Sequence, residues 1–155
     1  MTVTVLTVSD RASRGEYEDL SGPEIESIIL GRYPDCRVRR HIVADEPDQI
    51  RSALGEFLGD DYIITTGGTG ISPRDVTPDV CRDFCSSELP GIAEILRSES
   101  YKETPMAMLS RGYAGLKDGT IVVNFPGSVK AVRLCTKVLL PIMDHSGKML
   151  RGEGH

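Results

Sequence analysis

The sequence predicts an α/β fold, a parallel sheet covered by helices on both faces. β-branched runs alternate with amphipathic helical stretches along the chain. That alternation implies parallel pairing through right-handed crossovers. The 155 residues carry no repeat, linker or low-complexity tract, which suits one domain. With 39% hydrophobic and 26% charged residues, a chain of this length buries roughly 70% of its unfolded surface on folding. Neither a metal nor a disulfide is needed for that.

Val3 to Val8 is the first strand, stopped by Ser9-Asp10 and followed by a polar stretch. Ser21-Gly22-Pro23-Glu24 reads as a capping box, with Ser21 bonding the N3 amide and Glu24 reaching back. Ile25, Ile28 and Ile29 give the helix its apolar stripe, and Gly31 to Pro34 end it. Cys36 to Val43 is the second strand, and Pro47 then suits a helix N1. Ile50, Ala53, Leu54, Phe57 and Leu58 keep the helical period. Tyr62 to Thr66 is a strand that runs straight into glycine. Thr77-Pro78-Asp79 reads as N-cap, N1 and acidic N2 of another helix. Helical stretches follow from Pro90 to Tyr101 and from Thr104-Pro105. Thr120 to Phe125 is the fourth strand, stopped by Pro126-Gly127. Val129, Val132, Cys135 and Leu139 mark the last helix, which Pro141 should kink or end. The domain is expected over 1–148, with 149–155 a frayed tail.

A net charge of −5 argues against a nucleic-acid backbone binder or a basic membrane anchor. No apolar run reaches the ~20 residues of a membrane span. The start, MTVTVLTVSD, has no basic region and reads as a strand, so a cytoplasmic protein is expected. Cys36, Cys81, Cys85 and Cys135 form no CxxC pair, and structural thiols are expected of them. His41, His145 and His155 form no Ser/His/Asp or Cys/His arrangement at the strand ends.

Ligands of parallel sheets bind beyond the carboxyl ends of the strands. Here those ends read Ser9-Asp10, Asp45-Glu46, Thr65-Thr66-Gly67-Gly68 and Asn124-Phe125-Pro126-Gly127-Ser128. Thr65 to Gly70, T-T-G-G-T-G, packs three glycines into four positions, which lets successive N–H groups approach an anion. It is neither a P-loop nor GxGxxG. Asp75 follows within reach of that loop, and a carboxylate beside phosphates suits Mg²⁺. Taken alone, Asp45 or Glu46 reads better as a helix cap; the parallel-sheet arrangement, which puts Asp45 on the same edge as Asp75, weighs against that. Chemistry without a histidine base suits phosphoryl or nucleotidyl transfer.

TVSDRAS-R-G, D-L-S-G (Asp19 to Gly22), TTGGTG-I-S-PRDVTP, L-P-G (Leu89 to Gly91), S-R-G (Ser110 to Gly112) and N-F-P-G-S together resemble the molybdopterin adenylyltransferases. These molybdenum-cofactor biosynthesis proteins are related to the plant and animal G domains, and the resemblance runs from Val3 to Met143. It implies a three-layer αβα fold of the molybdopterin-binding type with a mostly parallel sheet, assembled as a homotrimer. It implies AMP transfer from Mg·ATP to the terminal phosphate of molybdopterin, with pyrophosphate released. Asp45 and Asp75 match the family's catalytic, metal-holding aspartates. Ser9, Asp10, Gly67, Gly68, Thr69 and Gly70 fall on its nucleotide side. Ser100, Ser110, Asn124, Pro126, Gly127 and Ser128 fall on its molybdopterin side. Hand-over of product to a molybdenum-insertion enzyme is a possible further step.

Two rival readings stand beside this one. One is a module that binds molybdopterin or finished cofactor without catalysis; a binder of an anion gains little from two carboxylates. The other is a nucleotide-handling domain of unrelated metabolism that shares the sheet and glycine loop by analogy. Ile92, Ile95, Leu96, Met106, Met108 and Leu109 exceed what one edge of a four-strand sheet needs, in keeping with a subunit interface.

Overall fold

The computed structural model describes residues 1–153. Its six strands run in the order β2-β1-β3-β6-β5-β4. β1 (Thr2–Val8), β2 (Arg37–Val43), β3 (Tyr62–Thr66) and β6 (Thr120–Phe125) are mutually parallel. β5 (Ala114–Lys117) and β4 (Ser87–Glu88) extend the sheet antiparallel beyond β6. These two strands go beyond the four expected. Asp118 and Gly119, at φ 48° and 82°, form a tight Asp-Gly turn that folds β5 back on β6, and β4 pairs with the free edge of β5.

Strand alternation divides the core into two layers. Val3, Val5, Tyr62, Ile64, Ile121, Val123 and Phe125 face one side. There they pack on α2 (Ser21–Arg32), α5 (Pro90–Tyr101) and α6 (Val129–Leu150), through Ile25, Ile29, Leu96, Val132, Cys135, Leu139 and Met143. Leu6, Val8, Ile63 and Val122 face the other side. Their partners are Ile50, Ala53 and Leu54 of α3 (Pro47–Glu56) and Val80, Cys81 and Phe84 of α4 (Thr77–Phe84). The fold is therefore the three-layer α/β sandwich expected. Burial of Cys81 on this second layer pushes its thiol up to about 12, so it is inert at neutral pH.

Three local expectations fail. Ser21 caps nothing: its hydroxyl donates to the carbonyl of Gly127 at 2.7 Å, and Asp19 Oδ1 accepts the Ser21 and Gly22 N–H groups instead. Glu24 pairs with Arg133 rather than reaching back. Thr77 is the first helical residue, not the cap, and its side chain makes no capping bond. Pro141 does not end α6, because Leu139 and Met143 are core residues on either side of it. The carbonyl of Leu140 is occupied as well, accepting the Tyr33 hydroxyl at 2.8 Å. The expected tail starts inside this helix; Gly154 and His155 lie outside the described residues.

Candidate functional site

At the carboxyl ends of β1, β2, β3 and β6 the chain leaves the sheet four times, and the exits enclose a cleft of about 240 Å³. Ser9, Asp45, Gly67, Gly68, Asp75 and Gly127 all line it. Five of those six were expected on one nucleotide-and-metal edge. Gly127, expected on the molybdopterin side, joins them because its turn packs against Gly67, while Thr66 Oγ1 donates to the neighbouring Pro126 carbonyl at 2.8 Å.

Backbone geometry explains the glycines. Gly67 and Gly68 adopt φ of +98° and +66°, a region that disfavours side chains. A methyl group on Gly67 would strike the carbonyl oxygen of Val8, and one on Gly68 would lie 2.9 Å from Asp45 Oδ1. The Gly67 N–H is held by the Phe125 carbonyl at 3.1 Å. Among the described residues, the N–H groups of Gly68, Thr69 and Gly70 donate to no protein acceptor. Those three N–H groups remain for an anion.

Asp45 is no helix cap, for Glu46 takes the cap position and neither side chain makes a capping bond. It is locked instead to Asp10 by a reciprocal pair. The Asp10 N–H donates to Asp45 Oδ2 at 2.9 Å, and the Asp45 N–H donates to Asp10 Oδ1 at 3.0 Å. Ser9 Oγ caps the short helix α1 (Asp10–Ser13) by accepting the Ala12 N–H. Burial pushes the Asp45 carboxyl up, and the nearby charges of Asp10 and Asp75 add to the rise. Partial burial also works against Asp10, but hydrogen bonds from Arg74 and Asp45 hold its carboxyl below the ordinary value. Asp45 is thus a carboxylate whose surroundings call for added positive charge.

Asp75 reaches back to the Ser72 N–H at 3.0 Å, and its Oδ2 would lie 2.9 Å from a methyl group on Gly70. Among the described residues no three His, Cys, Asp or Glu side chains converge on a metal position. A cation here would take Asp45 and Asp75 and complete its shell with ligand oxygens, the usual habit of magnesium.

Thr69 and Gly70 contribute backbone rather than lining. Their carbonyls accept Arg111, from its N–H at 2.8 Å and its Nε at 2.9 Å. Arg111 also donates to the Asp75 carbonyl at 2.5 Å and pairs with Asp79, so it staples the whole glycine loop to α4. Sequence reading passed over Arg111, Arg74 and Asp19. Arg74 bridges Asp10 and Glu46 at 2.9 Å each. Asp19 Oδ2 accepts the Thr7 hydroxyl on the cleft floor at 2.7 Å. All three stand in the quoted motifs S-R-G, PRDVTP and D-L-S-G, which is the signal that could have found them.

Ser100, Ser110, Asn124 and Pro126 line a second, smaller cavity of about 30 Å³, with Leu96, Arg97 and Cys135. Ser110 Oγ accepts the Gly112 N–H, and the Arg97 guanidinium donates to the Gly112 carbonyl at 2.6 Å. The Asn124 amide lies across the sheet, donating to Thr65 Oγ1 at 2.9 Å and to Cys81 Sγ, and accepting the Tyr113 N–H. Ser128 lines neither space; its hydroxyl accepts the Ala131 N–H as the cap of α6.

Comparison with known proteins identifies the family. The model of the probable molybdopterin binding domain matches residues 4–145. A molybdopterin adenylyltransferase of Helicobacter pylori (strain J99) is 39% identical over 97% of this chain and 88% of its own. A molybdenum cofactor biosynthesis bifunctional protein of Synechococcus elongatus is 38% identical over 98% of this chain, which spans 48% of that larger protein. The structure of the molybdopterin biosynthesis Mog protein from Mycobacterium ulcerans superposes with a TM-score of 0.89. It is 33% identical, with 96% of this chain and 98% of that one covered. The chain belongs to the family of probable molybdopterin binding domains.

Proposed function

We propose that this protein is a molybdopterin adenylyltransferase, which transfers AMP from ATP to the terminal phosphate of molybdopterin and releases pyrophosphate. The observation that carries the reading is the convergence of Asp45 and Asp75 on a glycine loop with unoccupied N–H groups. A phosphate oxygen of molybdopterin attacks the α-phosphorus of ATP; the new P–O bond forms as the bond to the β-phosphate oxygen breaks. The nucleophile is already an anion, so no base is required; among the described residues no histidine lines the cleft. The obstacle is repulsion between two polyanions.

Asp45 and Asp75 fit magnesium as hard oxygen donors, and the ion, when bound, would neutralise the triphosphate and the leaving pyrophosphate. The N–H groups of Gly68, Thr69 and Gly70 direct fixed dipoles at the same charge. Ser9 and Asp10 frame the nucleotide side, Asp10 by holding Asp45. Ser100, Ser110 and the Pro126 turn frame the molybdopterin side, with Gly127 between the two spaces.

A homotrimer is part of this reading. It is supported by Ile95, Met106, Met108 and Leu109, which are exposed together along α5 and the 3₁₀ turn Pro105–Leu109. Among the described residues no helix is long and apolar enough to cross a membrane, and the cytoplasm is the proposed compartment. Hand-over to a molybdenum-insertion enzyme accords with relatives in which this domain is part of a longer bifunctional chain.

The deciding experiment incubates the protein with ATP, Mg²⁺ and molybdopterin and separates the products. Adenylylated molybdopterin and pyrophosphate are expected in equal amounts. Recovery of unmodified molybdopterin bound to the protein would favour a cofactor-binding module without catalysis.

A further inference from the structure

Among the described residues a single buried side-chain oxygen lacks a hydrogen-bond partner, the hydroxyl of Thr77. Unpaired buried polar groups are rare in native proteins and call for a reason. Thr136 shows the usual remedy, donating to the carbonyl of Val132 one turn earlier at 2.6 Å. Thr77 opens α4 and has no preceding helical turn to use. Its main chain is engaged, with its N–H donating to the Gly68 carbonyl at 3.2 Å. The side chain is left over.

Its position gives the reason. Thr77 Oγ1 and Asp45 Oδ1 flank the Cα of Gly68 so closely that a methyl group there would collide with the first and lie 2.9 Å from the second. Asp45 Oδ2 accepts the Asp10 N–H. Oδ1 accepts from no group among the described residues. A donor without an acceptor and an acceptor without a donor therefore face one glycine, and only glycine leaves that space open.

We infer that Thr77 is a positioning residue for Asp45, its hydroxyl donating to Asp45 Oδ1 when nucleotide and cation draw the glycine loop inward. The inference rests on the adenylyltransferase reading above and adds a residue to it. The hydroxyl stays unbonded in the free protein, and the bond forms in the loaded state, where it fixes the carboxylate plane toward the cation. Binding energy is thereby directed to the arrangement that reacts.

The test compares Thr77→Val, which keeps the branched shape, with Thr77→Ser, which keeps the hydroxyl. Melting temperature of the free protein, calorimetric ATP affinity with and without Mg²⁺, and steady-state turnover are measured for each. Thr77→Val should melt no lower than the wild type and bind ATP equally in the absence of Mg²⁺. Its Mg²⁺-dependent gain in ATP affinity and its kcat should each fall about tenfold, and its KM for ATP should rise in step with the weaker Mg²⁺-dependent binding. Thr77→Ser should restore both. A Thr77→Val protein that fails to fold or melts well below the wild type overturns the inference, because the hydroxyl then serves the free fold. Wild-type turnover and Mg²⁺ dependence in Thr77→Val overturn it too. The calorimetric arm needs no molybdopterin. Absence of adenylyl transfer by the wild type would therefore strike the proposed function and leave the Thr77 result readable.

Discussion

Asp60 and Asp45 are carboxylates at opposite ends of the same sheet, and their surroundings differ in kind. Asp60, before β3, is only 7% exposed and is fully answered, accepting the Thr4 hydroxyl at 2.6 Å and the Arg39 guanidinium at 2.5 Å. Its neighbour Asp61 accepts the Thr2 N–H at 2.7 Å. Asp45, after β2, faces Asp10 and Asp75, and burial with that negative company pushes its carboxyl up. Close by lie a hydroxyl with no partner and N–H groups with no acceptor. One end of the sheet closes its electrostatic account within the chain. The other leaves charge and donors for something that arrives.

That contrast breaks most easily at Asp75. Asp75→Asn keeps the size and removes the charge. A loss of adenylyl transfer of about 10²-fold or more is expected if the carboxylate serves a metal-centred step, with an unchanged melting temperature. Near-normal turnover would end its role. Gly68→Val comes next, because it places a side chain at φ +66° against Thr77 and Asp45. ATP affinity measured by calorimetry should fall roughly tenfold or more, and unchanged affinity in a folded variant would reduce the loop to a turn.

The amino end sharpens the comparison by doing the reverse. Asp60→Ala strands the buried Thr4 hydroxyl and should lower urea-unfolding stability by about 1–3 kcal/mol while leaving kcat alone. A loss of turnover greater than the loss of folded protein would erase the distinction between the two ends. The smallest effect is expected from Ser110→Ala, which should weaken molybdopterin binding by about 1 kcal/mol and spare ATP. The opposite ranking would exchange the two halves of the site.

The parallel strands were legible because β-branched runs such as Val3 to Val8 and Tyr62 to Thr66 are buried on both faces. β4 and β5 were not. They span two and four residues, and Gly115 interrupts the second. The Asp118-Gly119 turn was the readable clue to them. Strand-end placement brought Asp45, Asp75 and the glycine loop to one cleft. Period-two alternation also turns the Asn124 amide toward Thr65 and Cys81, since Val123 and Phe125 flank Asn124 and pack toward α6. Capping failed at Ser21 because its partner, Gly127, is 106 residues away. No local pattern carries a bond of that span. Arg111 escaped for the same reason: its contacts in the glycine loop and α4 lie 32 to 42 residues back.

The strand order also has a consequence during synthesis. β3 sits between β1 and β6, and its bonds to β6 join residues 59 apart in sequence, as Thr65 and Asn124 are. At bacterial or eukaryotic elongation rates those residues take roughly 3 to 12 s to appear. Through that interval Ile63 and Ile64, both fully buried in the finished sheet, belong to a strand with one bare edge. The strand that delivers the glycine loop is therefore the one that most needs shelter on the ribosome, and the cleft can form only after Phe125 has emerged.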